Sequence, residues 1–191
     1  MDQPTIRLAT IEDLPWIRML WRDMVREGDP IYPKNILASL DNFTRSLALA
    51  LTQQPPQAFV FLAQLPGSDT PDAYFAYEIQ QRSLGEPSRL AFIHYIYTVP
   101  SARGRGLATT LLEIGAEHMA AQGLQWVEGT SMPNDPRFLD LGFTVYEYRA
   151  AAPVSGFPAA IAARRRKGGN GYAADFDVPP PIDPEDADED R

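Results

Sequence analysis

The amino-acid sequence predicts a mixed α/β fold, and three observations support this prediction. The chain has 191 residues, of which 45% are apolar, and this is enough to form one globular core. Segments with strand and helix patterns follow one another in the order β-α-α-β-β-β-α-β-α-β. At the centre, the stretch from Ala91 to Ala121 has the pattern of a strand, a glycine-rich turn and a helix.

The first half of the chain is predicted to form three strands and two helices. Apolar and polar residues alternate over the first strand, and Thr10 then suits the N-cap of a helix, with Asp13 three residues later as in a capping box. Apolar residues at helical spacing continue to about Arg26, and a second helix ends before Pro55 and Pro56. The predicted ranges are 5–9, 58–63 and 73–79 for the strands, and 10–26 and 34–53 for the helices.

The central strand is rich in β-branched and aromatic residues and ends at Pro100, which has no N–H group for a sheet hydrogen bond. After the glycine-rich turn, a helix is predicted to continue up to Gly123. His118 falls on the polar face of this helix, so we expect its side chain to be solvated. The face predicted to be buried carries Ala108, Leu111, Leu112, Gly115 and Met119.

The last third of the chain is predicted to add two strands, 124–130 and 142–148, with a short helix at 133–140 between them. Residues 151–157 show no strand pattern, and residues 158–163 suit a helical turn or two. Glycine, proline and acidic residues dominate after 168, and few large apolar side chains are left to offset the entropy of ordering, which predicts disorder. The expected organisation is a folded domain at 1–152, a basic extension at 153–167 and an acidic tail at 168–191.

The net charge of −8 arises mainly in the tail, because eight acidic residues lie between Asp175 and Asp190. The chain without residues 175–191 has 17 acidic and 16 basic residues, and this balance argues against a nucleic-acid-binding surface. The absence of cysteine excludes disulfides and thiolate catalysis. The chain has no apolar run of about 18 residues and no N-terminal signal pattern, so we expect no membrane span and a cytoplasmic location.

The turn between the central strand and helix has the properties of an anion site. The first N–H groups of a helix lack internal partners, the helix dipole adds positive charge there, and glycine lets a ligand approach the backbone. Arg103 and Arg105 would add further charge. A dinucleotide fingerprint needs a third glycine where Thr109 stands, and the Gly-Lys-Ser/Thr of a P-loop is absent. The alternative to a phosphate site is a plain strand–helix turn.

The run Arg103-Gly104-Arg105-Gly106-Leu107-Ala108 resembles the pyrophosphate-binding motif Arg/Gln-x-x-Gly-x-Gly/Ala of the GCN5-related N-acetyltransferases (GNAT). The element order over about residues 5–150 is similar as well. The resemblance implies an α+β fold with a mixed, mostly antiparallel sheet of six to seven strands, splayed at the central strand after a bulge and flanked by about four helices. It implies acetyl-coenzyme A as co-substrate, held by Thr98, Val99, Arg103, Gly104, Arg105, Gly106, Leu107, Ala108, Thr109 and Asn134.

The resemblance also indicates candidate catalytic residues and implies no metal. The family often has a glutamate four residues before the position held here by Thr98, and this chain has His94 there as a candidate general base. A histidine satisfied within the sheet is the alternative, and Glu78 is the second candidate base. Phe138 stands where the family commonly has a tyrosine acid, and phenylalanine cannot donate a proton. The other donors considered for that step are water and the hydroxyl groups of Tyr95, Tyr97 and Tyr146.

The function implied by the resemblance is transfer of the acetyl group of acetyl-coenzyme A to an amine by direct attack in a ternary complex. The acceptor stays open among small amines, peptide N-termini, lysine side chains and modified bases. The rival hypothesis is a catalytically weak or inactive acyl-coenzyme A-binding module that acts through protein partners, with the tail as a contact; a homodimer stays open too. The aromatic candidates for an acceptor pocket, which suit core packing equally, are Tyr32, Tyr74, Phe75 and Tyr77.

Overall fold

The computed structural model describes residues 3–27, 37–81, 89–130, 140–141, 143–146, 149–156, 159–161 and 163. Within these residues the chain forms seven strands and three α-helices, together with short 3-10 turns. The strands are β1 (Thr5–Leu8), β2 (Ala58–Gln64), β3 (Ala73–Gln81), β4 (Arg89–Thr98), β5 (Trp126–Thr130), β6 (Thr144–Tyr146) and β7 (Arg149–Pro153). The helices are α1 (Leu14–Arg26), α2 (Leu37–Thr52) and α3 (Leu107–Ala121).

The seven strands form one mixed sheet in the order β1-β2-β3-β4-β5-β7-β6. Every neighbouring pair is antiparallel except β4 and β5, which are parallel because α3 forms the crossover between them. The prediction of a mixed, mostly antiparallel sheet of six to seven strands is therefore confirmed. No helix among the described residues is both long enough and apolar enough to cross a bilayer.

Two hydrophobic clusters cover the two faces of the sheet, as the alternation of side chains along a strand requires. Phe75 and Tyr77 of β3 lie in the cluster that includes α3. Tyr74 precedes Phe75, so its side chain points to the opposite face of β3 and lies in the cluster that includes α1 and α2. All three side chains are at most 1% exposed, so they pack in the core and do not line an open pocket. Tyr32 lies outside the described residues.

The start of the first helical segment is fixed by a capping interaction of the predicted kind. The Thr10 N–H donates to the Asp13 carboxylate at 2.9 Å, and both carboxylate oxygens accept hydrogen bonds from Arg7 at 2.7 and 2.6 Å. The Arg7 hydrogen bond lowers the pKa of Asp13 to about 2, although burial opposes it. These bonds attach β1 to the start of α1, with a 3-10 turn at Ile11–Asp13 between them.

The contact of α3 with the sheet is close at Gly115. A Cβ atom built there would collide with Cε1 of Phe75 and lie 2.9 Å from its Cδ1 atom. One turn further along the helix, His118 is half-buried, and its Nδ1 lies 2.6 Å from the Tyr77 hydroxyl. The expectation of a solvated His118 was therefore wrong. The twist of the sheet brings β2 under the end of α3, so Phe59 and Phe61 also contact the imidazole edge to face.

The end of the sheet also differs from the sequence prediction. Residues 149–153 form β7, which pairs with β5 and β6, although this stretch carries no alternating strand pattern. Val154 and Ile161 then pack into the α3 cluster, so part of the predicted extension contributes to the core. The predicted short helix at 133–140 falls outside the described residues except for Asp140, and so does the tail.

Candidate functional site

A β-bulge in β4 places His94 at an irregular position of the sheet. Ala76 pairs with Tyr95 and Tyr77 pairs with Ile93, so His94 has no opposite residue on β3. The extra residue shifts the alternation of side chains along β4 by one. Two side chains on either side of the bulge can therefore face the same side of the sheet, although their spacing in a regular strand would place them on opposite sides. The rings of Phe92 and His94 are 5.0 Å apart, and those of His94 and Tyr95 are 5.7 Å apart.

Beyond the bulge, β4 has no pairing with the described part of β5. The pairing of these parallel strands begins at Ala91 with Val127 and ends at Ile93 with Gly129, whereas β4 continues to Thr98. Among the residues that the structure describes, 94–98 thus have a sheet neighbour on the β3 side only. We call the space beside them the β4–β5 gap. The splaying that the resemblance implied is present, and it begins at the bulge.

Backbone directions in β4 determine which N–H groups face the β4–β5 gap. The Val99 N–H donates to the Asp72 carbonyl on the β3 side at 2.9 Å. Since successive N–H groups of a strand point to opposite sides, those of Thr98 and Ile96 are directed toward the gap. The N–H of Val99, which the resemblance implied as a coenzyme contact, is therefore engaged within the sheet, and the Ile96 N–H, which sequence analysis did not single out, is directed toward the gap. Which N–H groups face the gap depends on the location of the bulge, and the sequence does not show that location.

The glycine turn has the backbone geometry that the sequence predicts. Gly104 and Gly106 have positive φ values of 77° and 79°, and a Cβ at either would meet no atom within 4 Å. The first intrahelical bond of α3 runs from the Thr110 N–H to the Gly106 carbonyl at 3.0 Å. The N–H groups before it, of Leu107, Ala108 and Thr109, donate to no acceptor in the part of the chain that the structure describes. This open turn at a helix N-terminus can bind an anion.

Arg103 has a different environment from the one the sequence suggested. Its Nε donates to the Thr98 carbonyl at 3.1 Å, and its Nη2 contacts the Glu27 carboxylate. The guanidinium lies 5.8 Å from the centre of the Tyr97 ring, and the Tyr97 hydroxyl donates to the other Glu27 oxygen at 2.8 Å. Arg103 is thus ion-paired rather than open to a phosphate, whereas Arg105 is exposed. Glu27 is a second residue that sequence analysis did not single out.

The two candidate bases, His94 and Glu78, lie side by side. Nε2 of His94 is 3.2 Å from Oε2 of Glu78, and Gln80 donates to the other Glu78 oxygen at 2.6 Å. The hydrogen bond with His94 lowers the pKa of Glu78, although burial opposes it. An ionised Glu78 holds the proton of a neutral His94 on Nε2, which leaves Nδ1 with the lone pair. The pair can therefore act as an oriented imidazole base rather than as two alternative bases.

The other candidates are only partly covered by the structure. Asn134 and Phe138 fall outside the described residues, as does the side chain of Tyr146. Tyr97 is 6% exposed, and burial followed by the Glu27 hydrogen bond raises its pKa, which makes it a poor proton donor. Within the described residues, the buried hydroxyl of Thr98 has no hydrogen-bond partner.

Among the described residues, no group of three or more histidine, aspartate or glutamate side chains is arranged to hold a metal ion. His94 and Glu78 are adjacent, but two ligands and a nearby amide do not make such a group.

Comparison with known proteins identifies a family. The model described as the acetyltransferase (GNAT) family matches residues 19–143, which is more than half of the chain. A comparison with curated proteins returned no match.

Solved structures share the fold at low sequence identity. A GCN5-related N-acetyltransferase from Ralstonia eutropha JMP134 has a TM-score of 0.65 and 19% identity, covering 75% of this chain and 94% of its own. A predicted acetyltransferase from Clostridium acetobutylicum, solved with acetyl-CoA, has a TM-score of 0.63 and 19% identity, covering 76% and 92%. An aminoglycoside acetyltransferase from an uncultured soil metagenomic sample, in complex with sisomicin, has a TM-score of 0.52 and 18% identity, covering 73% and 84%.

Proposed function

Since the chain belongs to the GNAT acetyltransferase family, we propose that it is an N-acetyltransferase that transfers the acetyl group of acetyl-coenzyme A directly to an amine. The observation that carries the proposal is the β4–β5 gap, which lies at the end of β4 that leads into the open glycine turn. The end of β4 thus offers backbone N–H donors to an uncharged part of a ligand, and the glycine turn that follows offers N–H donors to an anion. A coenzyme with a diphosphate and an amide-containing arm requires this combination.

The glycine turn is the proposed site for the diphosphate. The N–H groups of Leu107, Ala108 and Thr109 and the dipole of α3 favour negative charge there, and Arg105 adds a positive charge. Gly104 and Gly106 leave the space that the ligand would occupy.

The coenzyme would supply an acetyl group activated as a thioester, and the chain would supply the groups that act on it. The N–H groups of Ile96 and Thr98 are directed toward the gap, and we propose that one of them donates to the acetyl oxygen, on which negative charge develops during attack, while the other donates to an amide carbonyl of the coenzyme arm. Such donors are effective because they are fixed before the reaction. Since Phe138 cannot donate a proton, we propose that the departing thiolate leaves without one from this position.

His94 is the proposed general base. An amine is protonated at neutral pH and must lose a proton before it can attack, and an imidazole is suited to accept it. Glu78 orients the ring through its contact with Nε2, and Gln80 in turn orients the carboxylate. The sequence left His94 and Glu78 as competing candidates, and the geometry supports a single unit in which only His94 exchanges the proton.

The proposed acceptor class is a primary amine. This class is supported by the family and by the structural neighbour that was solved with the aminoglycoside sisomicin. The described residues provide aromatic rings beside the base: Tyr95 lies 5.7 Å from His94, and Phe43 of α2 contacts Tyr95 edge to face at 5.8 Å. We propose that these rings form one wall of the acceptor site.

The test is thiol release from acetyl-coenzyme A in the presence of a library of amines, with mass spectrometry to identify the acetylated product. We expect release that depends on the amine and a product heavier by one acetyl group. Incubation without amine is the background control. Coenzyme binding by calorimetry without thiol release for any amine would contradict the enzyme hypothesis and favour the binding module. Absence of both binding and release would contradict the coenzyme site itself.

A further inference from the structure

Arg103 begins the sequence motif of the phosphate turn, yet the structure engages its side chain elsewhere. Three contacts occupy the guanidinium: the Thr98 carbonyl at 3.1 Å, the Glu27 carboxylate, and the Tyr97 ring. We infer that Glu27 and Arg103 form a positioning pair that fixes the Thr98–Val99 peptide at the edge of the β4–β5 gap. The inference rests on the proposed function, because it assigns the pair a role in the same site.

The charges of this cluster support positioning over phosphate binding. The Glu27 carboxylate balances the positive charge of Arg103, and the side chains of the two residues are 36% and 31% exposed. A second bond, from the Tyr97 hydroxyl, fixes the other Glu27 oxygen. The bonds of Arg103 use its Nε and Nη2, so a phosphate would have to share the guanidinium with a carboxylate that already balances its charge. Arg105 forms no such pair in the described structure and is the exposed cation of the turn.

The peptide between Thr98 and Val99 is held at both ends. Its carbonyl oxygen accepts the Arg103 Nε–H, and its N–H donates to the Asp72 carbonyl at 2.9 Å. The Thr98 carbonyl points to the same side of β4 as the Thr98 N–H, which is the side of the gap. The guanidinium therefore covers an acceptor that would repel the negative charge of a ligand, while the neighbouring N–H remains directed toward the gap. The pair thus covers this carbonyl without adding net charge to the edge of the gap.

Glu27 connects the Thr98–Val99 peptide to helix α1, which is distant in sequence. Glu27 is the C-cap residue of α1, 76 residues before Arg103 in sequence. The pair thus joins the end of α1 to the end of β4 and to the turn that starts α3. A displacement of the α1 end would move the Thr98–Val99 peptide, and the donors beside it, through this contact.

The experiment compares Arg103→Lys with Arg105→Gln and uses Arg22→Lys as a matched control. A lysine carries the charge but not the fork that contacts Glu27 and the Thr98 carbonyl together. We expect R103K to lower kcat for thiol release about ten-fold and to change the coenzyme Kd less than about three-fold. R105Q should instead raise Kd, with a weaker dependence on salt. Arg22 pairs with Asp23 on the exposed surface of α1, so R22K should match the wild type.

A second readout does not depend on activity. Hydrogen exchange of the Val99 amide in the free protein should be faster in R103K and in Glu27→Gln than in the wild type, because both variants loosen the peptide. Unchanged exchange in both variants would overturn the inference. An increase in Kd for R103K equal to that for R105Q, with kcat retained, would overturn it as well and make Arg103 a phosphate ligand. If the wild type releases no thiol, the proposed function fails. The hydrogen exchange of the Val99 amide still tests whether Glu27 and Arg103 hold the Thr98–Val99 peptide.

Discussion

Among the described residues, the polar partner of the His94 ring is Glu78 at Nε2, and this contact determines which of the ring nitrogens can act. Glu78 contacts Nε2, and Gln80 holds the other Glu78 oxygen. A carboxylate in this position fixes the tautomer and the ring orientation, and it stabilises the imidazolium that forms when Nδ1 takes a proton. Glu78 then affects the reaction only through His94, so we expect the loss of Glu78 to lower the rate less than the loss of His94.

Substitution of the two residues should separate their roles. We expect His94→Gln to lower kcat/KM at least about a hundred-fold and to remove the rise of activity with pH that an unprotonated base produces. Glu78→Gln should cost about ten-fold, because the imidazole remains but loses its ionic partner. Rates over a range of pH with one saturating amine provide the measurement.

Glu117→Gln is the matched control for this pair of variants, since Glu117 is exposed on α3 and belongs to no proposed site. Its rate and pH profile should equal those of the wild type. Equal losses for H94Q and E78Q would contradict the orienting role of Glu78. A pH profile that H94Q leaves unchanged would exclude His94 as the base.

The site residues differ in how far sequence could reveal them. Gly104 and Gly106 were predictable because a turn before a helix that needs positive φ favours glycine, and the spacing matches a motif. Ile96 could not be found in this way, because it contributes only its N–H, whose direction depends on the bulge at His94. Glu27 was hidden for another reason: its partners are distant in sequence, and nothing local distinguishes it from other glutamates at helix ends.

Among the elements, α3 joins the candidate site to the core, and its closest contact with the sheet needs a glycine. Gly115→Ala would place a methyl group against Phe75, which is 0% exposed and has no room to turn aside. We expect a net loss of about 1–2 kcal/mol of unfolding free energy, because overpacking costs more than the helix propensity that alanine adds. Urea denaturation measures this loss.

Gly156→Ala provides the control, since a Cβ at Gly156 meets nothing within 4 Å. Its unfolding free energy should lie within about 0.5 kcal/mol of the wild type. A stable G115A protein would mean that α3 is displaced from β3 more easily than the packing indicates, and a shift of the phosphate turn should then accompany the substitution.

Strand β7 shows where element prediction from local pattern fails. Its sequence, Arg-Ala-Ala-Ala-Pro, has no alternation and low strand propensity, and it forms a strand because β5 and β6 flank it on both sides. The longer strands β2, β3 and β4 were predictable, since aromatic and branched side chains dominate them and the core buries most of these residues. Tertiary pairing rather than propensity determines the short strands at this edge.

Across the whole molecule, apolar periodicity predicted which faces of α1 and α3 would be buried, because burial of these faces drives the folding of both layers. The same reasoning failed for His118, whose place on the α3 helical wheel is polar. A helical wheel does not show how far the sheet extends along α3, and Tyr77, Phe59 and Phe61 of the sheet contact the imidazole ring of His118. A buried histidine of this kind connects the stability of the whole fold to pH.

Burial lowers the pKa of His118 below its ordinary value of 6.5. Its folded-state pKa is therefore below that of the unfolded chain, and the unfolded state binds more protons as the solution is acidified. The neutral ring contributes its full stability above about pH 6.5, and this contribution is lost as the pH falls through the folded-state value. Unfolding free energies from urea denaturation at pH 7.5 and 5.5 should therefore differ more for the wild type than for His118→Gln, whose amide does not titrate.

Tyr77→Phe separates the hydrogen bond from burial. Because burial alone lowers the pKa of His118, the Y77F protein should be less stable than the wild type at both pH values yet retain the same difference between them. Parallel behaviour of the wild type and H118Q would show that the ring is already solvated in the folded protein. Loss of the pH difference in Y77F would show instead that the tyrosine hydroxyl, and not the apolar surroundings, keeps the imidazole neutral.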